Sequence, residues 1–170
     1  MARVKVLFVF GNMHKSFPSM SDFISRLPTE FEITLQYGFH DLVKMPIPNA
    51  FYSIDFFKRG DYLELINKSD IVCGHAGVGF ITDALSFNKM PVVMPRSKSK
   101  GEHTNDHQLD FAARYCKDGI FELLDGDLSQ ESNLITLLAS LNKKPSRKFI
   151  TDLSIIKDKI HSDVEAFLNN

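Results

Sequence analysis

The feature that most restricts the fold of this chain is a set of short apolar runs, each closed by glycine or proline and each leading toward a helical pattern. Residues 4–10 include five consecutive apolar side chains, Val6-Leu7-Phe8-Val9-Phe10, before Gly11-Asn12 breaks the run. Residues 70–74 and 91–94 repeat the pattern and are closed by Gly74 and Pro95. A strand with one wet face alternates polar and apolar residues. A strand apolar at nearly every position is buried on both faces, which is the condition of a parallel sheet.

Further strands are expected at 31–37, 51–57 and 120–124. Helices are expected at 19–27, where Pro28 stops the first one, and at 61–68, 77–88, 105–117 and 128–141. A last helix is expected at 147–168. The alternation implies an α/β chain: a Rossmann-like parallel sheet with helices on both faces, built as a single domain over residues 1–170. Such sheets bind ligands outside the carboxyl ends of their strands. The chemically rich loops all follow strands, at 11–16, 38–41, 74–79 and 96–106, so one small-molecule site is expected there.

Charge and cysteine content exclude some classes. Lys and Arg total 20 against 21 Asp and Glu, a net charge of -1. A protein that grips nucleic acid through phosphates carries a basic excess, so nucleic acid is not an expected partner. The two cysteines, Cys73 and Cys116, have neither disulfide-framework nor metal-ligand spacing, which fits a reducing, cytoplasmic setting. The opening apolar run is too short for a signal sequence and lacks a small-residue cleavage site. No apolar stretch is long enough to cross a bilayer, so attachment to a membrane would need a partner.

Four segments carry candidate chemistry. In Gly74-His75-Ala76-Gly77-Val78-Gly79, small residues between a buried strand and a helix let a ligand approach backbone N–H groups at a positive dipole end, and His75 adds a side-chain donor. The spacing matches neither the P-loop nor the dinucleotide fingerprint, and a plain tight turn is the competing reading. Asp83, in the following helix, is either a ribose-binding carboxylate or a solvated helix residue. The run Gly101-Glu102-His103-Thr104-Asn105-Asp106-His107-Gln108 gathers polar side chains that could hold sugar hydroxyls. Its alternatives are a metal site, which its spacing serves poorly, and a helix start capped by Thr104 or Asn105. The first loop, Gly11-Asn12-Met13-His14-Lys15-Ser16, either closes over an anionic ligand or is a surface connection.

In combination these residues resemble a known family. The ordered run Ser69-Asp70-Ile71-Val72-Cys73-Gly74-His75-Ala76-Gly77-Val78-Gly79, then Asp83-Ala84-Leu85, then Asn88-Lys89-Met90-Pro91-Val92-Val93-Met94-Pro95-Arg96, then Gly101-Glu102-His103 and Asp106-His107-Gln108, is similar to the glycosyltransferase family 28 C-terminal domain. Within that family it resembles the stand-alone donor-binding subunits of split UDP-sugar transferases, found in N-glycan assembly and in bacterial exopolysaccharide or capsule synthesis. The motif region spans 69–115.

The resemblance implies the C-terminal half of a GT-B glycosyltransferase. It implies a UDP-sugar as substrate, no metal or other cofactor, and inverting transfer of a hexose or N-acetylhexosamine to a saccharide linked to a polyprenyl diphosphate. It also implies a membrane-anchored acceptor-binding subunit as partner and a peripheral place at the membrane. Donor-binding roles fall on Gly11, Asn12, His75, Ala76, Gly77, Val78, Gly79, Asp83, Arg96, Asp106 and Gln108. His14, His75, Glu102 and His103 are candidate catalytic groups. Two positions depart from the family pattern: Phe80 replaces a small hydroxyl residue, and Asp83 replaces a glutamate one methylene longer. Competing functions are a UDP-sugar epimerase-like enzyme, which needs both GT-B domains, and a non-catalytic nucleotide-sugar-binding subunit. Phe149, Leu153, Ile156, Ile160, Val164 and Phe167 form an apolar stripe on the last expected helix, serving the chain's own sheet, the partner, or both.

Overall fold

The computed structural model describes residues 3–145. The elements run in chain order as β1 (Val4–Val9), α1 (Pro18–Ser25), β2 (Phe31–Gln36), β3 (Tyr52–Ile54), α2 (Arg59–Lys68), β4 (Ile71–His75), α3 (Val78–Ser86), β5 (Pro91–Met94), α4 (His107–Tyr115), β6 (Glu122–Leu123) and α5 (Gln130–Ala139). The helix expected at 147–168 lies outside the described residues. Every strand pair is parallel. The sheet order is β3-β2-β1-β4-β5-β6. The chain therefore winds outward from β1 in one direction, then returns beside it at β4 and winds the other way. This is the doubly wound, Rossmann-like arrangement, with its switch point between β1 and β4.

The period of two in β1 divides the interior. Val6, Phe8 and Phe10 enter one core with Met20, Phe23 and Ile24 of α1 and Leu137 of α5. Leu7 and Val9 enter the opposite core with Ile66 of α2, Ile81 and Leu85 of α3, and Phe111 of α4. Helices thus cover both faces, as the unbroken apolar runs require.

The shortfalls in element length have local causes. The strand expected at 51–57 shrinks to three residues because it is an edge, paired to β2 alone, and Phe51 and Tyr52 stay exposed. The strand expected at 120–124 pairs only over β6, while Ile120 and Phe121 pack into the core beside it. Helix α4 starts at His107, two residues late. The Asn105 N–H donates to Nδ1 of His103 at 3.3 Å, which keeps that segment in a turn. The N-cap position of α4 is Asp106, with no side-chain capping bond, in place of Thr104 or Asn105.

Candidate functional site

A cleft of about 420 Å3 opens at the carboxyl ends of β1, β2, β3 and β4. Gly11 and Asn12 reach it from β1, Gln36 from β2, Phe56 and Phe57 from β3, and His75 from β4. Arg59 and Tyr62 of α2 and Gly79, Phe80 and Asp83 of α3 complete the wall. Two of the four chemically rich loops, 11–16 and 74–79, therefore meet at the switch point, where a crevice is expected in a doubly wound sheet.

His75 sits between two glycines. A Cβ on Gly11 would stand 2.5 Å from the His75 Cε1, and a Cβ on Gly77 would overlap Nε2. Gly11 also has φ +79°, a conformation that side chains with Cβ rarely adopt. The imidazole thus lies directly against both backbones, with Nδ1 3.4 Å from the Val9 carbonyl. Burial pushes its pKa down to about 4, and the nearby Arg96 and His103 charges act in the same sense. The ring is neutral near pH 7. Beside it, α3 begins after Gly77, which has no side chain to cap the helix. The first-turn N–H groups of α3 and the positive end of its dipole suit an anionic ligand. Ala76 and Val78 pack into the core, so they would meet a ligand through their backbone.

Several residues assigned to the site by sequence do other work. Arg96 was expected to bind the donor but is 1% exposed. Its guanidinium donates to the carbonyls of Phe10 (2.8 Å), Ser16 (3.0 Å), Lys15 (3.2 Å) and Glu102 (3.2 Å). It also lies 4.2 Å from the centre of the Phe17 ring. A buried cation needs partners, and here backbone carbonyls at the end of β1, in the first loop and in its own loop provide them. Glu102, a candidate base, is fully buried. Its Oε1 accepts from the Ser19 N–H at 2.8 Å, at the start of α1, and its Oε2 accepts from the Ser97 N–H at 3.1 Å. Arg96 and Glu102 therefore fasten the loops after β1 and β5 to each other, and neither reaches the cleft.

Asp106 and Gln108 were expected to hold the sugar. Gln108 is buried, and its Oε1 accepts from the Arg96 N–H at 3.0 Å. Asp106 accepts from the Lys98 N–H at 2.8 Å. Both are tied to the backbone of their own segment and stand outside the cleft wall. His103 is 6% exposed and meets the edge of His107 at 4.5 Å between centres. Burial lowers the pKa of both rings. Among the described residues no group of three or more His, Cys, Asp and Glu side chains is arranged to hold a metal. His14 is exposed and stacks on Phe39 at 4.0 Å, so it is the open member of the catalytic candidates in the first loop.

Asp83 lines the cleft, as its ribose-binding reading requires, but both its oxygens accept from Arg59. The Nη1–Oδ2 and Nη2–Oδ1 distances are each 2.6 Å. It is a paired carboxylate, which neither sequence reading anticipated. Arg59, Tyr62, Phe56 and Phe57 were also missed as site residues. A signal was present: Phe56-Phe57-Lys58-Arg59 occupies the same strand-to-helix position as the other chemically rich loops.

The chain and its fold have counterparts among known proteins. The glycosyltransferase family 28 C-terminal domain model matches residues 15–160. The chain belongs to that family. Human UDP-N-acetylglucosamine transferase subunit ALG13 is 33% identical over 88 residues, which are 51% of this chain and 7% of that protein. CalG4, the calicheamicin glycosyltransferase, superposes with a TM-score of 0.65 over 99% of this chain and 43% of its own, at 17% identity. MurG of Acinetobacter baumannii superposes with a TM-score of 0.58 over 82% of this chain and 44% of its own, at 14% identity. These structures share the fold, and the chain spans less than half of each. The family 28 domain described here is thus the size of one half of those glycosyltransferases.

Proposed function

We propose that this family 28 domain is the donor-binding, catalytic subunit of a two-component UDP-sugar transferase. One observation carries the reading: the cleft at the switch point joins the uncapped start of α3 and the glycine-seated His75 to an aromatic wall. The α3 N–H groups and His75 would take the diphosphate, and Phe56 and Phe57 would flank the uracil. Direct transfer with inversion requires a base at the acceptor hydroxyl and stabilisation of the departing UDP. The second task would fall to the α3 terminus, whose first turn lines the cleft and whose dipole is positive there. For the first, His14 stands at the mouth of the sheet, where an acceptor domain would meet it.

In this reading the acceptor is a lipid-linked saccharide, held by a separate membrane-anchored subunit that brings the chain to the cytoplasmic face of the membrane. The relative that is itself named a transferase subunit supports the divided arrangement. Among the described residues no helix is long and apolar enough to cross a membrane. The test is calorimetric titration with UDP, UDP-N-acetylglucosamine, UDP-glucose, ADP and GDP. Binding of uridine compounds with a raised melting temperature is the expected outcome. Equal affinity for ADP and GDP, or no binding at all, would overturn the proposal.

A further inference from the structure

We propose that His40 is a positioning residue of this site: its uncharged ring holds the loop after β1 where Gly11 and Asn12 line the cleft, and acidification releases that loop. The inference deepens the UDP-sugar reading and rests on it for the choice of ligand.

Residues 11–17 form neither helix nor strand, so their backbone groups need partners from elsewhere. Arg96 takes the carbonyls of Lys15 and Ser16, together with that of Phe10. The loop after β2 supplies further partners. Gly38 lies flat on the first loop, since a Cβ there would overlap the Gly11 carbonyl oxygen. The Asp41 N–H donates to the Ser16 Oγ at 3.0 Å. The Phe17 N–H, just before α1, donates to Nδ1 of His40 at 3.0 Å. His40 is 4% exposed, and its Nε2–H donates to the Met45 carbonyl at 3.0 Å.

These two bonds fix the state of the ring. A carbonyl only accepts, so Nε2 carries the proton. A backbone N–H only donates, so Nδ1 keeps its lone pair. An added proton would land on Nδ1, set N–H against N–H at Phe17, and bury a second cation near Arg96. Two charged groups act on the ring. Arg96, from the loop after β5, opposes protonation, and Asp41, from its own loop, favours it. Asp41 is already engaged, accepting from the Val43 and Lys44 N–H groups and pairing with the Lys44 ammonium at 3.3 Å. From β1 the ring meets the uncharged Phe10 side chain, 5.1 Å between centres. Burial is the largest influence and lowers the pKa. The contact is therefore complete above the ordinary value of about 6.5 and is lost as pH falls through the folded value. Arg96, with its pKa lowered to about 10, stays charged throughout that range. Of the two grips on the loop, the one at His40 is the one that acid releases.

Calorimetry with UDP-glucose on the full chain, between about pH 8 and pH 5, tests the assignment. Both phosphates of that probe are esterified, so the ligand does not titrate in the range. His40→Leu removes the acceptor from Phe17 and is expected to weaken binding about tenfold at the upper pH, the scale of one buried hydrogen bond left unmade. His40→Asn offers an amide oxygen in the place of Nδ1 and cannot titrate, so it is expected to recover most of that affinity. Wild-type affinity should drop about tenfold on acidification, and the His40→Asn profile should be flatter by a similar factor. The other imidazoles are common to both proteins, so the difference belongs to His40. Hydrogen exchange across residues 11–17, corrected for the intrinsic rate, reads the loop without ligand: it should rise in acid in the wild type and not in His40→Asn. Should His40→Leu fail to fold, the comparison of wild type with His40→Asn still decides. Matching pH profiles for those two, or loop exchange that ignores pH, would overturn the assignment and leave the UDP reading standing. If the wild-type chain binds no UDP-glucose, that reading falls, and the loop exchange alone judges His40.

Discussion

At the residue scale, the site depends on atoms that are missing. The His75 imidazole occupies space that a Cβ on Gly11 or Gly77 would take. Gly77 has φ -100°, a conformation open to any residue, so its requirement is spatial and not conformational. Gly77→Ala should therefore displace the imidazole and crowd the turn. The expected cost is about 1–3 kcal/mol of stability, the usual range for overpacking, together with loss of UDP affinity. Urea denaturation and calorimetry measure the two effects separately, and unchanged values in both would contradict the seat described here. Gly11, Gly77 and His75 were each legible in the sequence, but the seating of the ring against both glycines was not. Arg96 makes the converse point. An arginine after a strand in a phosphate-binding fold reads as a ligand contact, yet four backbone carbonyls enclose it. Nothing local in the sequence distinguishes the two roles, because the carbonyls come from residues some 80 positions away as well as from its own loop.

At the scale of elements, three helix starts are treated in three ways. The start of α5 is closed by its own residue: the Ser129 hydroxyl accepts from the Ser132 N–H at 3.2 Å. The start of α1 is closed from a distance, by the buried carboxylate of Glu102 on the Ser19 N–H. The start of α3 follows Gly77 and faces the cleft, where a ligand anion would take the same place. Ser129→Ala should cost about 1 kcal/mol, read as a lower urea midpoint at constant slope, with UDP binding unaffected because α5 lies away from the cleft. A shift in UDP affinity would show that α5 and the site are coupled. Element type and order were readable because burial on both faces leaves unbroken apolar runs. Element ends were less so, since the edge pairing of β3 and the side-chain bonds around His103 decide them.

At the scale of the whole molecule, four imidazoles, those of His40, His75, His103 and His107, have pKa values lowered chiefly by burial, His75 to about 4. In the unfolded chain each takes up a proton near its ordinary value of about 6.5. Between that pH and the folded values the unfolded state binds more protons, so stability is complete above the unfolded pKa and declines as the solution is acidified through the window. The melting temperature should fall between pH 7 and pH 4.5, and His75→Gln should flatten part of the decline. A flat profile would contradict the burial of these rings. What the sequence determined alone was the parallel sheet, its two-sided cover of helices, the family, and the loops able to carry a ligand, because apolar runs and glycine-rich turns are encoded in neighbouring residues. Only the tertiary structure decided which polar side chains face the cleft. Backbone groups, several of them some 80 positions away, hydrogen-bond Arg96 and Glu102 inside the protein, the Arg96 N–H secures Gln108, and the fold brings Arg59 to Asp83 at the opening, since a buried charge settles only where the fold supplies groups to solvate or pair it.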